Sequence, residues 1–312
     1  MELIRGLHNL RPRHRGCVAT IGNFDGVHLG HQEVLGQLAE RAGGLGLPTT
    51  LITFEPQPLE YFAPERAPAR LTRLREKLQA LWRFSVDRVL LLPFNRQLAE
   101  KTAAEFIQQI LVDGLAVKYL VVGDDFRFGR GREGDFDTLV SAGAQHGFQV
   151  VNMHTYSVDG ERVSSTRVRE ALNRGDMRAA ERLLGRHYRM SGRVRHGDRL
   201  GRELGFPTAN IWLHRQVTPL EGIFAVEVFG LEREPLAAVA SIGNRPTVDG
   251  TRTILEVYIF DFDAEIYGHY LQVSFLHKLR DQLKFDSLEA LREQIARDVQ
   301  DTREFFRQYY AG

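Results

Sequence analysis

The company kept by strand-like segments changes once along this chain, and that change constrains what it can fold into. Up to about residue 185, short apolar runs alternate with helical patterns. Beyond it, strand-like runs follow one another with only glycine-rich turns between them. The first texture predicts a parallel sheet buried on both faces, and the second an antiparallel sheet closed into a small barrel.

In the first part, CVATIGNF (Cys17–Phe24), TTLITF (Thr49–Phe54), Arg88–Leu92, KYLVVG (Lys118–Gly123) and QVVNM (Gln149–Met153) read as strands. Helical patterns run over His31–Ala42, Leu71–Phe84, Thr102–Leu111 and Phe136–His146, and Ser164–Leu184 reads as one long helical segment. In the second part, RMSGRV, TANIW, GIFAVEVF, LAAVASIG, TILEVYIFDF and HYLQVSFL read as strands with no helix between them. A last amphipathic helix spans Ser287 to about Tyr310, with Leu288, Leu291, Ile295, Val299 and Phe306 on one stripe. The shift near Gly185–His187 divides the chain into domains 1–185 and 186–312. A length of 312 residues gives each enough chain for its own core.

Composition narrows the classes. A hydrophobic share of 43% with a net charge of +1 argues against disorder, and no run of like charge marks a nucleic-acid tail. Basic residues are mostly Arg; Lys occurs only at 77, 101, 118, 278 and 284. Arg suits bidentate phosphate contacts, although a compositional bias is the better explanation for most of them. Cys17 is the only cysteine, which excludes an intramolecular disulfide and a thiolate zinc site. The first residues lack a secretory apolar core, and no stretch reaches the roughly 20 apolar residues of a membrane helix. The expectation is a soluble cytoplasmic protein with neither nucleic acid nor membrane as a partner.

The informative stretch of the first part is TIGNFDGVHLGHQ (Thr20–Gln32). A strand is expected to end at Phe24, a glycine turn to follow, and His28 and His31 to sit where a helix begins. In open parallel sheets, ligands bind at the carboxyl ends of strands. Glycines allow close backbone approach, and a helix start offers unpaired N–H groups to phosphate. Two imidazoles there can stabilise charge on a nucleotide's phosphates. His-x-Gly-His taken alone also fits a turn with incidental histidines, or a metal site completed by a distant ligand.

GNFDGVHLGH (Gly22–His31) resembles the signature of the FMN adenylyltransferase domain of bacterial bifunctional FAD synthetases, a Rossmann-like branch of the HxGH nucleotidylyltransferases. TFEPQP (Thr53–Pro58), VVGDDFRFGRGREG (Val121–Gly134) and VSSTRVR (Val163–Arg169) match the same family in order. The resemblance implies that His28 and His31 contact ATP phosphates within a cradle of Gly22, Asn23, Phe24, Asp25 and Gly26. Asp25 and the Asp124–Asp125 pair would meet Mg²⁺ or ribose; otherwise they are turn-forming acids. Ser164, Ser165 and Thr166 are good N-cap residues at a helix start that can also bind phosphate. Arg167 and Arg169 are two apart and cannot share a helix face; Arg169 is favoured for the phosphates, with Arg127 as a further candidate.

No P-loop motif occurs in the chain. The candidate phosphate stretch of the second part is GRVRHGDRLGRELGFPTANI (Gly192–Ile211), where Gly192, Gly197, Gly201 and Gly205 let a loop wrap phosphates. It ends in Pro207-Thr208-Ala209-Asn210. Strand spacing puts Thr208 and Asn210 on one face, a workable pair for hydrated Mg²⁺ or an ordinary turn and strand. Glu256 is the only charge in TILEVYIF, on the face of Ile254 and Tyr258. A carboxylate in such a run faces solvent or has a task.

This stretch resembles the riboflavin kinase motif, with further matches at GIFAVEV (Gly222–Val228), SIGNRPTV (Ser241–Val248), LEVYIFDFDAEIYG (Leu255–Gly268) and FLHKLRDQLKF (Phe275–Phe285). The resemblance implies Thr208 and Asn210 as Mg²⁺–ATP ligands, Glu256 as the base, Arg202 as a basic loop residue and Arg280 as a suggestive contact. Ala264-Glu265 stands where the family often has Gly-Asp, a turn variation. Together the resemblances cover about residues 15 to 305 and imply riboflavin, FMN, FAD, ATP, ADP and pyrophosphate as substrates and products. A chain with one working domain, another HxGH transferase and a non-catalytic flavin or nucleotide sensor are the alternatives. The sensor is disfavoured because Glu256, Thr208, Asn210, His28 and His31 are all chemically competent.

Overall fold

The computed structural model describes every residue except Asp124, His154, Thr155, Asp198, Arg199, Gln216, Val248, Asp249 and Gly312, and leaves the side chains of residues 200, 244–247 and 250–252 undescribed. The expectation for Asp124, and parts of the Gly192–Ile211 and Ser241–Val248 stretches, lie outside the described residues. The chain forms two compact units, Met1–Pro68 with Arg73–Val163, and Ala69–Thr72 with Ser164–Gly312.

In the first unit, β1 (Glu2–Arg5), β2 (Cys17–Ile21), β3 (Thr49–Glu55), β4 (Arg88–Pro93), β5 (Val117–Val122) and β6 (Gln149–Asn152) form one sheet. The order is β1-β4-β3-β2-β5-β6, and every pairing is parallel. Alternation along each strand fills both faces. Cys17, Ala19 and Ile21 join one apolar core with Ile52, Leu90 and Leu120; Val18, Leu51, Val89 and Val121 join the other with Val34, Leu35 and Leu38 of the helix Leu29–Leu45. That helix stops where Gly46 turns left-handed (φ 62°) and donates its N–H to Ala42. Two short strands, β7 (Ser157–Val158) and β8 (Glu161–Arg162), pair antiparallel after β6.

The edge strand β1 was not expected; four residues are too few to show a period. Strand β2 ends at Ile21, not at Phe24, because Phe24 already has φ 47°. The second half of the expected 102–111 helix continues as wider π-type turns over Ile107–Gly114.

In the second unit, β9 (Tyr188–Arg195), β10 (Ala209–Trp212), β11 (Gly222–Phe229), β12 (Leu236–Thr247), β13 (Gly250–Ile259) and β14 (Tyr270–Arg280) close an antiparallel barrel in the order β10-β13-β12-β11-β14-β9. These are the six strands expected. Phe224, Leu255, Val257, Leu271, Val273 and Phe275 are completely buried, and Phe224 meets Phe275 edge-on at 5.4 Å. A filled barrel of this size has no room inside for a ligand. Its outer wall carries the helix Leu288–Ala311, whose Phe306 packs against Ile223, Ala225, Val239, Phe260 and Leu276. Leu288, expected on the buried stripe, is exposed in the helix's first turn.

Two further expectations change. A one-turn helix, Leu200–Glu203, lies within the glycine stretch. Residues 164–184 form two helices, Ser165–Asn173 and Met177–Leu184. Gly175 at φ 73° ends the first, and Asp176 caps the second by accepting from the Ala179 N–H at 2.9 Å. The short segment Ala69–Thr72 belongs to this unit because its carbonyls are bonded there. Tyr188 Oη donates to Leu71 O at 3.0 Å, Arg169 Nε to Ala69 O at 2.7 Å, and the buried Arg215 to Arg70 O.

Burial pushes the Cys17 thiol up to about 11. The expected outcome is that at pH 8 the folded protein is alkylated by iodoacetamide at least ~100-fold more slowly than the urea-unfolded chain, since only the thiolate reacts. Mass spectrometry of the single labelled site checks it.

Candidate functional site

The first unit's sheet diverges at β2. From there the chain runs to β3 and β4 on one side, then crosses to β5 and β6 on the other. The loops after β2 and β5 therefore part at the carboxyl ends of neighbouring strands, the position where open α/β sheets hold ligands.

The loop after β2 is tightly wound. Phe24 (φ 47°), Gly26 (φ 84°) and Val27 (φ 44°) all have left-handed backbones. A β-branched residue such as Val27 adopts this only where the surroundings force it, at about 1–3 kcal/mol. Gln32 Nε2 donates to Val27 O at 2.9 Å and holds the turn. Asp25 and His28 are buried. His28 caps the helix: its Nδ1 accepts the His31 N–H at 3.3 Å. In the neutral ring the proton then resides on Nε2, which becomes a donor. The two imidazoles stack at 3.7 Å, and Phe24 stacks on His31 at 4.5 Å. A Cβ on Gly30 would stand 3.3 Å from the His28 ring, a tight contact that would press the ring by a few tenths of an ångström.

After β5, Asp125 is exposed and accepts from Arg162 at 3.2 Å, while Arg127 is exposed with NH1 donating to Phe126 O at 3.3 Å. A Cβ on Gly123 would overlap Asp125 Oδ1 at 2.8 Å. The ends of β3 and β4 carry aromatic residues that the sequence reading missed. Tyr61, Phe62 and Phe94 lie 5.3–5.6 Å apart, and Phe62 is 64% exposed. An exposed aromatic cluster of this kind is a candidate surface for a flat apolar partner.

In the second unit, Ser164 caps its helix by accepting the Arg167 N–H at 3.3 Å, and Ser165, Thr166, Arg167 and Arg169 follow on that helix.

The second unit's site lies on the outside of the barrel. A cavity of about 320 Å³ is lined by Gly201, Thr208, Asn210, Glu256, Arg280 and, on the terminal helix, Asp298, together with apolar neighbours. Drug-sized ligand pockets begin near this volume. Asn210, Glu256 and Ser241 are direct partners across β10, β13 and β12, so they form one polar rung on one face. Tyr258, Ile254 and Val239 flank that rung. The face expected for Glu256, with Ile254 and Tyr258, is the face observed.

Glycines let the preceding loop cross the rung. A Cβ on Gly197 would lie 2.4–2.5 Å from the Asn210 amide, and one on Gly201 would lie 2.5 Å from Phe206 O and 3.1 Å from Thr208 Oγ1. Gly205 (φ 90°) turns the chain into Pro207 and Thr208, and a Cβ on Gly192 would overlap Trp212 O at 2.5 Å. Arg202 sits on the one-turn helix and is not among the residues lining the cavity.

Among the described residues no group of three or more His, Cys, Asp or Glu is arranged for a metal. Thr208 and Asn210 offer neutral oxygens beside the Glu256 carboxylate. That hard-oxygen set fits Mg²⁺ sharing its coordination with water and phosphate, and does not fit zinc. Sequence reasoning missed Ser241, Gln282 and Asp298 as lining residues. Asp298 carried a signal, as an acid on the apolar stripe of Leu291 and Ile295; Gln282 carried none.

A doubly wound domain with paired histidines at its divergence point, followed by a barrel carrying a carboxylate beside hard-oxygen donors, defines a two-domain, nucleotide-using transferase. Residues 10–167 match the family model of FAD synthetase and residues 184–306 that of riboflavin kinase. Bifunctional riboflavin kinase/FMN adenylyltransferases of Escherichia coli K12 and Haemophilus influenzae are 53% and 50% identical to the chain, each over 98% of its length and 98–99% of theirs. The Pseudomonas fluorescens relative is 54% identical over 97% of both. A crystal structure described as a macrolide-efflux protein of Streptococcus pneumoniae superposes with a TM-score of 0.82 at 31% identity, covering 97% of this chain and 99% of that one. No described helix of the present chain is long and apolar enough to cross a membrane. The chain belongs to the bifunctional riboflavin kinase/FMN adenylyltransferase family.

Gly197→Ala is expected to displace Asn210 and lower kcat/KM for riboflavin phosphorylation at least ~tenfold, with adenylylation of supplied FMN unchanged. Chromatography of the two flavin products checks it.

Proposed function

We propose that the chain makes FAD from riboflavin in two ATP-dependent steps, with residues 186–312 phosphorylating riboflavin and residues 1–185 adenylylating FMN. The matched ranges 10–167 and 184–306 support that division. The observation that carries the kinase reading is the rung Asn210–Glu256–Ser241 with Thr208 in one cavity.

Glu256 accepts the proton of the riboflavin 5′-hydroxyl as that oxygen bonds to the γ-phosphorus of ATP and ADP departs. Thr208 and Asn210 would hold Mg²⁺, which when bound neutralises phosphate charge. The glycines at 192, 197, 201 and 205 let the loop backbone approach phosphates, and Arg202 adds positive charge to it.

In the second step an oxygen of the FMN phosphate attacks the α-phosphorus of a second ATP and pyrophosphate leaves. The nucleophile is already an anion, so no base is needed, and catalysis is positioning and charge stabilisation. His28 Nε2–H and His31 are assigned to the phosphates, and Asp25, Asp125 and Arg127 to the metal, ribose or phosphates. Ser164, Ser165, Thr166, Arg167 and Arg169 carry phosphate roles on the strength of the VSSTRVR motif alone. The aromatic group of Tyr61, Phe62 and Phe94 suits the flavin ring. A cytoplasmic location agrees with ATP as co-substrate and with a lone thiol kept reduced and buried.

Incubation with riboflavin, ATP and Mg²⁺ is expected to yield FMN and then FAD. Neither product would sink the reading, and FMN alone would leave a single working domain. Glu256→Ala is expected to slow FMN formation by ~10²–10⁴-fold and to leave conversion of supplied FMN to FAD intact. Replacing His28 and His31 together with Ala should do the reverse; loss of both activities in a folded variant overturns the two-site assignment.

A further inference from the structure

Asp298 is 4% exposed on the helix Leu288–Ala311, three residues beyond Ile295 and seven beyond Leu291. All three side chains line the kinase cavity. Its carboxylate receives Arg280, the last residue of β14, in a two-pronged contact: Nε to Oδ1 at 2.8 Å and NH2 to Oδ2 at 2.5 Å. Gln294 Nε2 donates to Oδ1 at 2.9 Å, and Thr302 Oγ1 to the Asp298 carbonyl at 2.6 Å. The third Arg280 nitrogen, NH1, donates to Asp281 O at 2.8 Å. Thus every guanidinium nitrogen already donates within the protein.

The pair fixes two things at once. It sets which face of the terminal helix meets the barrel, and through Asp281 O it fixes the turn that leads into Gln282 and Leu283, both on the cavity wall. Gln282 Nε2 donates to Ile242 O at 3.1 Å, and its amide occupies space that only Gly243 leaves open, since a Cβ there would lie 2.0 Å from it. Stability alone is a poor reason for such a pair: two well-packed apolar residues in place of a buried ion pair are often neutral or better, whereas a planar fork fixes direction.

We propose that Asp298 is a positioning residue for riboflavin: through Arg280 it locks the terminal helix and the 281–283 turn into the cavity wall on which the flavin rests. The inference builds on the kinase reading above. The catalytic rung at Glu256 is carried by other strands, so the effect falls on flavin binding more than on phosphoryl transfer.

In the full-length protein, Asp298→Asn is expected to raise KM for riboflavin ~tenfold or more, while kcat and KM for ATP stay within ~threefold and FMN adenylylation is unchanged. An unchanged KM for riboflavin, or equal loss in kcat and both KM values, overturns it. The double variant Arg280→Met with Asp298→Met covers the case in which the single variant unfolds. It restores apolar packing without the fork, so a folded double variant with raised KM supports the proposal, and one with wild-type KM overturns it. A wild-type protein without kinase activity refutes the kinase reading itself; an active wild type with an unaffected Asp298→Asn refutes only the positioning role.

Discussion

A six-stranded barrel small enough to be filled by its own side chains has one surface left for chemistry, its outside. Alternation along β13 makes this concrete: Leu255 and Val257 point into the packed interior, and Ile254, Glu256 and Tyr258 point out. The outer wall needs cover before it becomes a site. The terminal helix and the glycine loop provide it, and the cavity is the space left beneath them. Ladder pairing sets the spacing within it, because Asn210, Glu256 and Ser241 are held one strand apart by backbone hydrogen bonds.

The first unit reaches a comparable result by other means. A parallel sheet buried on both faces admits only uncharged side chains, apolar or threonine, in its middle, so the charged and imidazole candidates gather where the loops diverge after β2 and β5. The left-handed backbones of Phe24 and Val27 mark where the chain accepts strain in order to bring two imidazoles into a stack at the helix start. Gly30 leaves the His28 ring its room, since a Cβ there would stand 3.3 Å from it.

Most of the architecture was legible because it rests on periodicity. Runs such as TTLITF and TILEVYIF state both strand and face, and all six barrel strands followed from alternation and glycine turns. What escaped lacked a period or depended on a turn. Strand β1 has four residues and draws its partner from residues 88–91. The break at Gly175 divides a helical pattern that reads as continuous because amphipathic signals resume on its far side. In the barrel site, Glu256 stood out as the one charge in an apolar strand, whereas the spacing of Thr208 and Asn210 fitted an ordinary turn and strand as well, and the pair was singled out by the resemblance of PTAN to the kinase motif. Ser241 and Gln282 were not, since a serine across a ladder or a glutamine over a glycine has no signature until strands are paired.

The segment Ala69–Thr72 gives the molecule a property that no linear boundary captures. Its carbonyls are acceptors for Tyr188, Arg169 and Arg215 in the second unit, although some ninety residues of the first unit's sequence lie between it and Ser164. A fragment beginning at 186 would retain the donors of Tyr188 and Arg215 and lose the groups they satisfy, and buried donors without acceptors cost about 1–3 kcal/mol each. Modularity here is therefore interleaved: the gene can be divided at one point, but the folded barrel unit cannot be lifted out whole with a single cut.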